Sequence, residues 1–377
     1  MQRDVIVVGG GVIGCSIAWK LAQRGMSVTI LERGTLGCEA SRAAAGMLSP
    51  QGQAEHGGPF FELCLRGRTM YREFTEELTS VSGIDIEYKD EGTLFVVVEG
   101  EDHHQETKWA SWQLEAGLPL ERVSTDELHR MEPAVTESAT AAIFLPKEHQ
   151  IENRRLMDAL ALANRRACVE VIEGKGVTCL IKDGNRVEGV LCGDERWTSG
   201  LVVLAAGSWS SSLLQPVGLD IRIIPARGEM IAIKGGSCPI QRVIHSSEVY
   251  VVPRRDGRIL IGATVEYAGF EKRVTVKGVS SMLTAATQLV PSLGGFEIIE
   301  TWSGLRPDTA DHWPIIGNSG IDNLFLATGH FRNGILLAPI TAELAAEAIV
   351  TGRSPESLEP FSVNRLELRS DAQHQSR

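Results

Sequence analysis

The chain has no excess of positive charge, no Cys-x-x-Cys pair and no long uninterrupted apolar run. Its 37 Lys and Arg residues are outnumbered by 48 Asp and Glu residues, which gives a formal net charge of −11. This is the wrong sign for a surface that must follow nucleic-acid phosphates. The acidic composition is therefore interpreted as a contribution to solubility, and no nucleic-acid partner is expected.

Seven cysteines are scattered along the chain in an odd number, a usage typical of a reducing compartment. The N-terminus enters an apolar strand pattern at once, without the charged and apolar regions of a secretory signal. The longest apolar stretch, residues 335–350, is interrupted by Pro339, Glu343 and Glu347. These features predict no integral membrane segment and a cytoplasmic location.

The 377 residues, 43% hydrophobic and 23% charged, describe a globular chain and exclude disordered, collagen-like and coiled-coil classes. A single core rarely grows past about 250 to 300 residues, so two domains are expected. No internal repeat, low-complexity tract or long linker separates them.

A glycine-rich turn follows the first apolar run. Residues 4–8 predict a strand, Gly9-x-Gly11-x-x-Gly14 a tight turn, residues 15–24 a helix and residues 27–31 a second strand that ends at Glu32. This βαβ order predicts a parallel sheet with a Rossmann-like turn whose backbone approaches a pyrophosphate. Glu32 would accept hydrogen bonds from an adenosine ribose, which disfavours NADP. NAD and FAD share the fingerprint, so it does not separate them.

The later elements alternate between two sets, which predicts an α/β chain (α+β overall) with two interleaved domains. Asp256-Gly257 is a hairpin signal within the strand-rich stretch 221–263, and the stretch 84–98 alternates like strands. Helical patterns cover 60–82, 153–166 and the segment after 334, and further strands are predicted at 169–172, 177–180, 201–206 and 324–327. The predicted division is a Rossmann-like FAD-binding domain of residues 1–50, 146–220 and 315–365, an antiparallel-sheet substrate domain of residues 51–145 and 221–314, and a flexible tail at 366–377.

Two further segments favour a flavin over a nicotinamide. Residues 41–48 are small enough for the backbone to lie against a flat ring, although a packed loop or helix start gives the same pattern. Residues 329–334 precede a helix whose positive end could face the electron-rich edge of a reduced flavin.

On the motifs at 5–11, 43–48, 250–254, 304–307 and 329–339, the chain resembles the D-amino-acid oxidase superfamily of FAD enzymes, and within it the ThiO-type glycine oxidases of thiamine biosynthesis. The resemblance covers nearly the whole chain. It implies a homo-oligomer, a tetramer in this family. Members with covalent flavin use a late cysteine, but the last cysteine here is Cys238, so noncovalent FAD is expected.

The resemblance also implies the site residues. Tyr250 and Arg306 would hold the substrate carboxylate, with Arg306 presented on a Gly-Leu-Arg-Pro turn, and Arg332 would belong to the same site. Met47 and Val265 would border the substrate, and Val265 stands where the family carries a longer thioether side chain. The residues expected to contact FAD are Gly9, Gly11, Val12, Ile13, Gly14, Glu32, Arg33, Ala40, Ser41, Ala45, Gly46, Met47, Val177, Gly207, Gly329, His330, Phe331, Arg332, Asn333, Gly334, Ile335 and Leu336.

The implied reaction is oxidative deamination of glycine and other small amines, such as sarcosine and small D-amino acids. Hydride would pass from the substrate to flavin N5, an imine would hydrolyse to the 2-oxo acid (glyoxylate from glycine), and oxygen would be reduced to hydrogen peroxide. No protein acid or base and no metal is expected. Three alternatives stay open: a soluble D-amino-acid or sarcosine-type dehydrogenase with another acceptor, a pyridine-nucleotide dehydrogenase, and a noncatalytic flavin-binding protein.

Overall fold

The computed structural model describes residues 3–52, 54, 56–100 and 103–366, so of the expected tail only Leu366 is described. The strands in this part of the chain are β1 Arg3–Val8, β2 Val28–Leu31, β3 Met47–Leu48, β4 Thr93–Val98, β5 Glu121–Val123, β6 Ala139–Leu145, β7 His149–Gln150, β8 Glu170–Ile172, β9 Cys179–Asp183, β10 Arg186–Cys192, β11 Glu195–Leu204, β12 Ile224–Lys234, β13 Val243–His245, β14 Tyr250–Pro253, β15 Arg258–Gly262, β16 Glu297–Asp308, β17 Ile315–Asn318 and β18 Leu324–Thr328. The α-helices are α1 Val12–Gln23, α2 Ala40–Ala43, α3 Pro59–Ser82, α4 His103–Glu115, α5 Thr125–Met131, α6 Asn153–Arg166, α7 Ser210–Leu214, α8 Val276–Leu289 and α9 Gly334–Thr351.

The first sheet has the strand order β17-β18-β11-β1-β2-β8, with β9 and β10 attached beside β11. β1 pairs in parallel with both β11 and β2, which confirms the predicted parallel sheet. Residues 5–8 of β1 are all buried, as expected for a central strand whose two faces are covered. Helices α1, α3, α6 and α9 pack on this sheet in one core.

The close approach of α1 to β1 depends on Gly14. A Cβ at Gly14 would lie 2.0 Å from the carbonyl oxygen of Gly9 and 3.2 Å from the Val7 side chain. The third glycine of the motif therefore lets the helix pack directly on the turn, as the fingerprint predicts.

The second sheet has the order β16-β12-β15-β14-β13-β4-β6-β5 and is antiparallel except where β13 meets β4. The hairpin predicted at Asp256-Gly257 joins β14 to β15, with Tyr250 opposite Gly262. This sheet has its own core, closed on one side by α8. The mixed architecture predicted from the sequence is confirmed, while the division into residue ranges stays a prediction.

One expectation needs correction. Within 84–98 only residues 93–98 form a strand, and the preceding stretch makes one isolated bridge, Lys89 with Gln150. Helix α3 lies within the range 51–145 predicted for the substrate domain, and its buried face joins the core of the first sheet, because its apolar side chains meet α9 and α6. Gly67 allows this packing, since a Cβ there would lie 2.7 Å from the carbonyl oxygen of Leu336.

Helix α9 and the turn before it, residues Phe331–Thr351, are long and apolar enough by length and composition to cross a membrane. However, 67% of that window is buried inside the protein. Its apolar residues pack against α1 and α3, which is the environment of a core helix.

Candidate functional site

A cavity of about 470 Å³ is lined by residues of both sheets. We call it the central cavity. Its walls are the chain segments 8–9, 11–13, 31–33, 39–41, 43–47, 52, 176–177, 205–209, 212–213, 228, 230, 245–250, 262–263, 265, 304–307, 327–332 and 334–335. Every predicted site residue lies on these walls except Gly14, Asn333 and Leu336.

Glu32 lies at one end of the central cavity with its carboxylate held by backbone amides. Its Oε2 accepts the N–H of Gly10 at 2.7 Å and its Oε1 accepts the N–H of Gly34 at 2.8 Å. The residue is only 7% exposed. These bonds fix the carboxylate at the end of β2, and each oxygen keeps further lone pairs for an incoming hydroxyl.

The N-terminus of α1 opens on the cavity beside Glu32. Its first turn contains no acidic side chain, and the N–H of Val12 donates to Ser41 Oγ at 2.9 Å. The positive end of the helix is therefore uncompensated by any carboxylate of its own, which suits an anionic group such as a pyrophosphate. Gly14 does not line the cavity because it faces the turn itself.

The small residues from α2 to β3 form one long wall. Their main chain is held by three side chains: Asn153 Nδ2 donates to the Ser41 carbonyl at 2.8 Å, Trp302 Nε1 to that of Ala43 at 3.0 Å, and Arg254 Nη2 to that of Ala45 at 2.6 Å. The wall is therefore rigid.

Gly46 continues this wall in a conformation that favours glycine, with φ +71°. A Cβ there would lie 2.0 Å from the carbonyl oxygen of Ile151. The wall therefore contacts the segment that precedes α6 so closely that residue 46 has no room for a side chain.

The opposite wall is the turn before α9. Asn333 and Leu336 point away from the cavity, and Leu336 is buried in the core of the first sheet. His330 lines the cavity but its Nε2 lies 3.1 Å from Thr341 Oγ1, and burial lowers its pKa to about 3. It is a neutral, hydrogen-bonded histidine.

Arg306 lines the central cavity on the side of the second sheet. The predicted turn at 304–307 is wrong: these residues belong to β16, which pairs along its length with β12. The neighbouring strand makes room for the guanidinium, since a Cβ at Gly228 would lie 2.2 Å from Arg306 Nη1. Arg306 Nη1 donates to the Thr264 carbonyl at 3.1 Å, which orients the planar group.

Tyr250 and Arg332 line the cavity together with Arg306. Burial raises the pKa of the Tyr250 hydroxyl, and the positive charges of Arg306 and Arg332 oppose that rise. Loss of hydration and the charge of Arg306 lower the pKa of Arg332. Neither arginine forms an ion pair within the described residues, and the negative charge of Asp308 only opposes the lowering of the Arg332 pKa. Two cations and a phenol therefore line the same part of the cavity.

Sequence reasoning missed several cavity residues, among them Gly228, Trp209 and His245. The Arg33 guanidinium lies over the Trp209 ring, 3.4 Å from the ring centroid, and Arg33 also forms an ion pair with Glu39. Gly228 carries no local signal, since only the β12–β16 register places it beside Arg306. Met47 and Val265 line the cavity as predicted, Val265 with 46% exposure.

The family model "FAD dependent oxidoreductase", abbreviated DAO, matches residues 4–348. The chain belongs to this family. It is 35% identical over 96% of its length to the bifunctional protein ThiO/ThiG of Synechocystis, and 34% identical over 94% to the glycine oxidase of Pseudomonas aeruginosa. Among solved structures it is similar to the glycine oxidase of Geobacillus kaustophilus, with a TM-score of 0.91, 33% identity, and coverage of 96% of this chain and 98% of that one.

The chain spans about half the length of the first curated relatives it matches, 54% of the Synechocystis protein, but 96% of the Pseudomonas one. FAD is the cofactor of the DAO family, and the central cavity fits it in shape and chemistry. One part of its wall offers a carboxylate and a helix N-terminus, another offers small residues that admit a flat ring, and a third offers cations.

Proposed function

We propose that the protein is an FAD-dependent amino-acid oxidase that deaminates glycine and other small amines, such as sarcosine and small D-amino acids. The products would be the 2-oxo acid, ammonia or an amine, and hydrogen peroxide. The observation that carries the proposal is the pair of unpaired guanidinium groups, Arg306 and Arg332, that meets the Tyr250 hydroxyl at one end of the central cavity.

This end of the cavity suits a small carboxylate. A guanidinium presents a planar fork that binds a carboxylate through two charge-assisted hydrogen bonds, and a phenol can add a third. Arg306 is oriented by Thr264 before any ligand binds, so little side-chain entropy is lost on binding. A bound carboxylate would also relieve the repulsion between Arg306 and Arg332.

The protein's part in the reaction is positioning. FAD, when bound, supplies the acceptor for the hydride removed from the substrate carbon and passes the electrons to oxygen. Arg306 and Tyr250 would hold the carboxylate and thereby fix the position of the substrate Cα. Loss of a hydride from the neutral amine gives an iminium ion without loss of a proton, and water hydrolyses this ion to the 2-oxo acid and ammonium.

No residue is assigned as an acid or base. His330 is neutral and bonded to Thr341, and Tyr250 keeps its proton because its pKa is raised. Noncovalent FAD, a homotetramer, a cytoplasmic location and a role in thiamine biosynthesis are part of the proposal on the strength of the family resemblance. Light scattering of the purified protein tests the assembly.

An oxygen-electrode screen of glycine, sarcosine and D-alanine tests the activity, with peroxide measured in parallel. Arg306→Ala is expected to lower kcat/KM by about 30-fold or more with the flavin spectrum unchanged, since loss of one partner of a buried charge pair costs about 2–5 kcal/mol. Arg306→Lys should recover only part of the loss, because a point charge cannot replace the fork.

Substrate oxidation that reduces a quinone dye but consumes no oxygen would replace the oxidase with a dehydrogenase. Normal affinity for amino acids in Arg306→Ala would place the carboxylate site elsewhere.

A further inference from the structure

A fully buried carboxylate lies behind the cavity wall at residue 52. Glu148 has 0% exposure, and its Oε1 accepts the N–H of Gln51 at 2.7 Å and the N–H of Gly52 at 3.3 Å. Its other oxygen, Oε2, is buried and meets no hydrogen-bond donor among the described residues. A buried charged oxygen without a donor is costly, so this arrangement favours a neutral acid with its proton on Oε2.

The main chain that Glu148 holds is part of the central cavity, because Gly52 lines it. The same loop is held a second time through the Gln51 side chain. Gln51 Nε2 donates to Gln113 Oε1 at 3.1 Å, and Gln51 Oε1 accepts from Arg68 Nη1 at 3.2 Å. Gln51 and Gln113 are fully buried, so the hydrogen bond between them holds the loop away from solvent, while Arg68 is partly exposed.

A stack of rings connects this loop with Tyr250. A Cβ at Gly52 would lie 2.5 Å from the ring of Phe95, so the loop and the ring are in close contact. Phe95 stacks on His245 with centroids 4.6 Å apart, and His245 lies 5.4 Å from the Tyr250 ring. Because packed interiors have low compressibility and transmit strain, we expect a shift at Gly52 to displace the Tyr250 ring.

We propose that Glu148 is a positioning residue for substrate binding, which sets the place of the Tyr250 hydroxyl through Gly52, Phe95 and His245. The inference rests on the proposed function insofar as Tyr250 binds the substrate carboxylate. Glu148 itself does not line the central cavity.

The role depends on the protonation of Glu148. Burial raises its pKa to about 8, against the opposing effect of the two N–H donors and Arg68. Among its neighbours, burial and Glu148 raise the pKa of the Cys64 thiol, and burial lowers the pKa of His149 to about 4, where its Nδ1 meets the Tyr88 hydroxyl. Burial raises the pKa of Tyr88, and Arg68 keeps its guanidinium charge. Glu148 is thus the member of this cluster that changes charge near pH 8.

The sign of the effect follows from Oε2. Below pH 8 the acid is neutral and Oε1 keeps both N–H bonds. Above pH 8 Glu148 is negatively charged, and its Oε2 has no hydrogen-bond donor among the described residues. The charge then attracts Arg68 away from Gln51, or a water molecule enters and donates to Oε2. Ionisation strengthens the two N–H bonds to Oε1, but we expect the movement of Arg68 or the entry of water to outweigh this and loosen the loop at Gly52. Affinity for a carboxylate ligand should then fall as the pH rises through 8.

Acetate titration of the FAD-loaded protein tests this, with the visible flavin spectrum as the readout from pH 6.5 to 9.5. Acetate has no amine and stays ionised throughout, so a step in its Kd reports the protein. In the wild type the Kd is expected to rise about fivefold or more around pH 8. In Glu148→Gln the Kd should stay at the low-pH value, because the amide oxygen still accepts both N–H bonds and carries no charge. Glu137→Gln, whose side chain is 96% exposed, should keep the wild-type step.

Phe95→Leu gives a second test that leaves Glu148 in place: it should weaken acetate binding and flatten the step, with FAD affinity by flavin fluorescence unchanged. A flat wild-type profile, a step that persists in Glu148→Gln, or wild-type behaviour of Phe95→Leu overturns the role of Glu148. Failure of acetate to perturb the flavin at any pH overturns the carboxylate clamp itself, and the role of Glu148 with it. If acetate leaves the flavin spectrum unchanged and the protein still oxidises its substrate, the oxidase activity depends on a different substrate-binding site.

Discussion

Val265 borders the substrate end of the central cavity with nearly half of its side chain exposed. It follows β15, on a loop whose Thr264 carbonyl accepts a hydrogen bond from Arg306. In the proposed function, a short side chain at this position would leave space near the carbon or nitrogen of the amine. We therefore expect the residue to affect substrate size and not carboxylate binding.

Val265→Met should shift relative kcat/KM toward glycine over sarcosine and D-alanine by about tenfold, or about 1.4 kcal/mol. This is at the lower end of what one or two methylene groups discriminate, because the side chain is partly in solvent. Steady-state assays of the three substrates in parallel measure the ratio. An unchanged ratio would mean that residue 265 does not meet the substrate.

Among the secondary-structure elements, the β14–β15 hairpin is connected by Arg254 to the wall of small residues between α2 and β3. The residue is 5% exposed, and besides the Ala45 carbonyl it donates to the Ile151 carbonyl at 2.8 Å. Its Nε lies 3.4 Å from the carboxylate of Glu152, which is also buried and paired with Arg258. One side chain of the β14–β15 turn thus holds main chain that lines the central cavity.

Arg254→Met should lower the free energy of unfolding by about 3–5 kcal/mol. The substitution removes one of the two cations beside the buried Glu152 carboxylate, and it leaves the Ala45 and Ile151 carbonyls without this donor. Urea unfolding of the FAD-loaded protein measures the change. Arg255→Met is the matched control, since this neighbour pairs with Asp85 on the surface, with both side chains about half exposed. Its cost should stay below about 1 kcal/mol. Equal costs for the two variants would contradict the bracing role of Arg254.

Across the whole molecule, the cavity lies where the two sheets meet, so a ligand that fills it contacts both cores. A ligand bound only by the folded state adds stability in proportion to the logarithm of its concentration over Kd. FAD at about 100 times its Kd should therefore add about 2.7 kcal/mol and raise the Tm.

The FAD-induced rise in Tm should fall to about half or less in Glu32→Ala at the same FAD concentration, because hydrogen bonds to a charged acceptor contribute about 1.5–3 kcal/mol. The comparison is between apo and FAD-loaded forms of each variant, since Glu32 also holds Gly10 and Gly34. Thermal unfolding followed by circular dichroism measures it, and Glu137→Gln should keep the full rise. A full rise in Glu32→Ala would remove Glu32 from the nucleotide site.

Local patterns alone predicted much of this molecule. The glycine turn, α1 and Glu32 lie within about thirty residues, and their spacing reflects strand and helix geometry. The 14-residue helix α6 and the hairpin at Asp256-Gly257 follow from periodicity and turn chemistry in the same way. Motifs at 250 and 306 identified two further cavity residues, although their roles there remain predictions.

Only the tertiary structure decided the rest. The residues 304–307 form a strand because β12 pairs with β16 over its whole length, a partner more than 70 positions away. The same pairing places Gly228 beside Arg306, and packing against α9 moves α3 to the first core. Glu148 has no motif at all: its importance arises from its burial behind Gly52 and its missing donor at Oε2. Sequence patterns report short-range geometry, whereas desolvation and register depend on chain segments that are far apart.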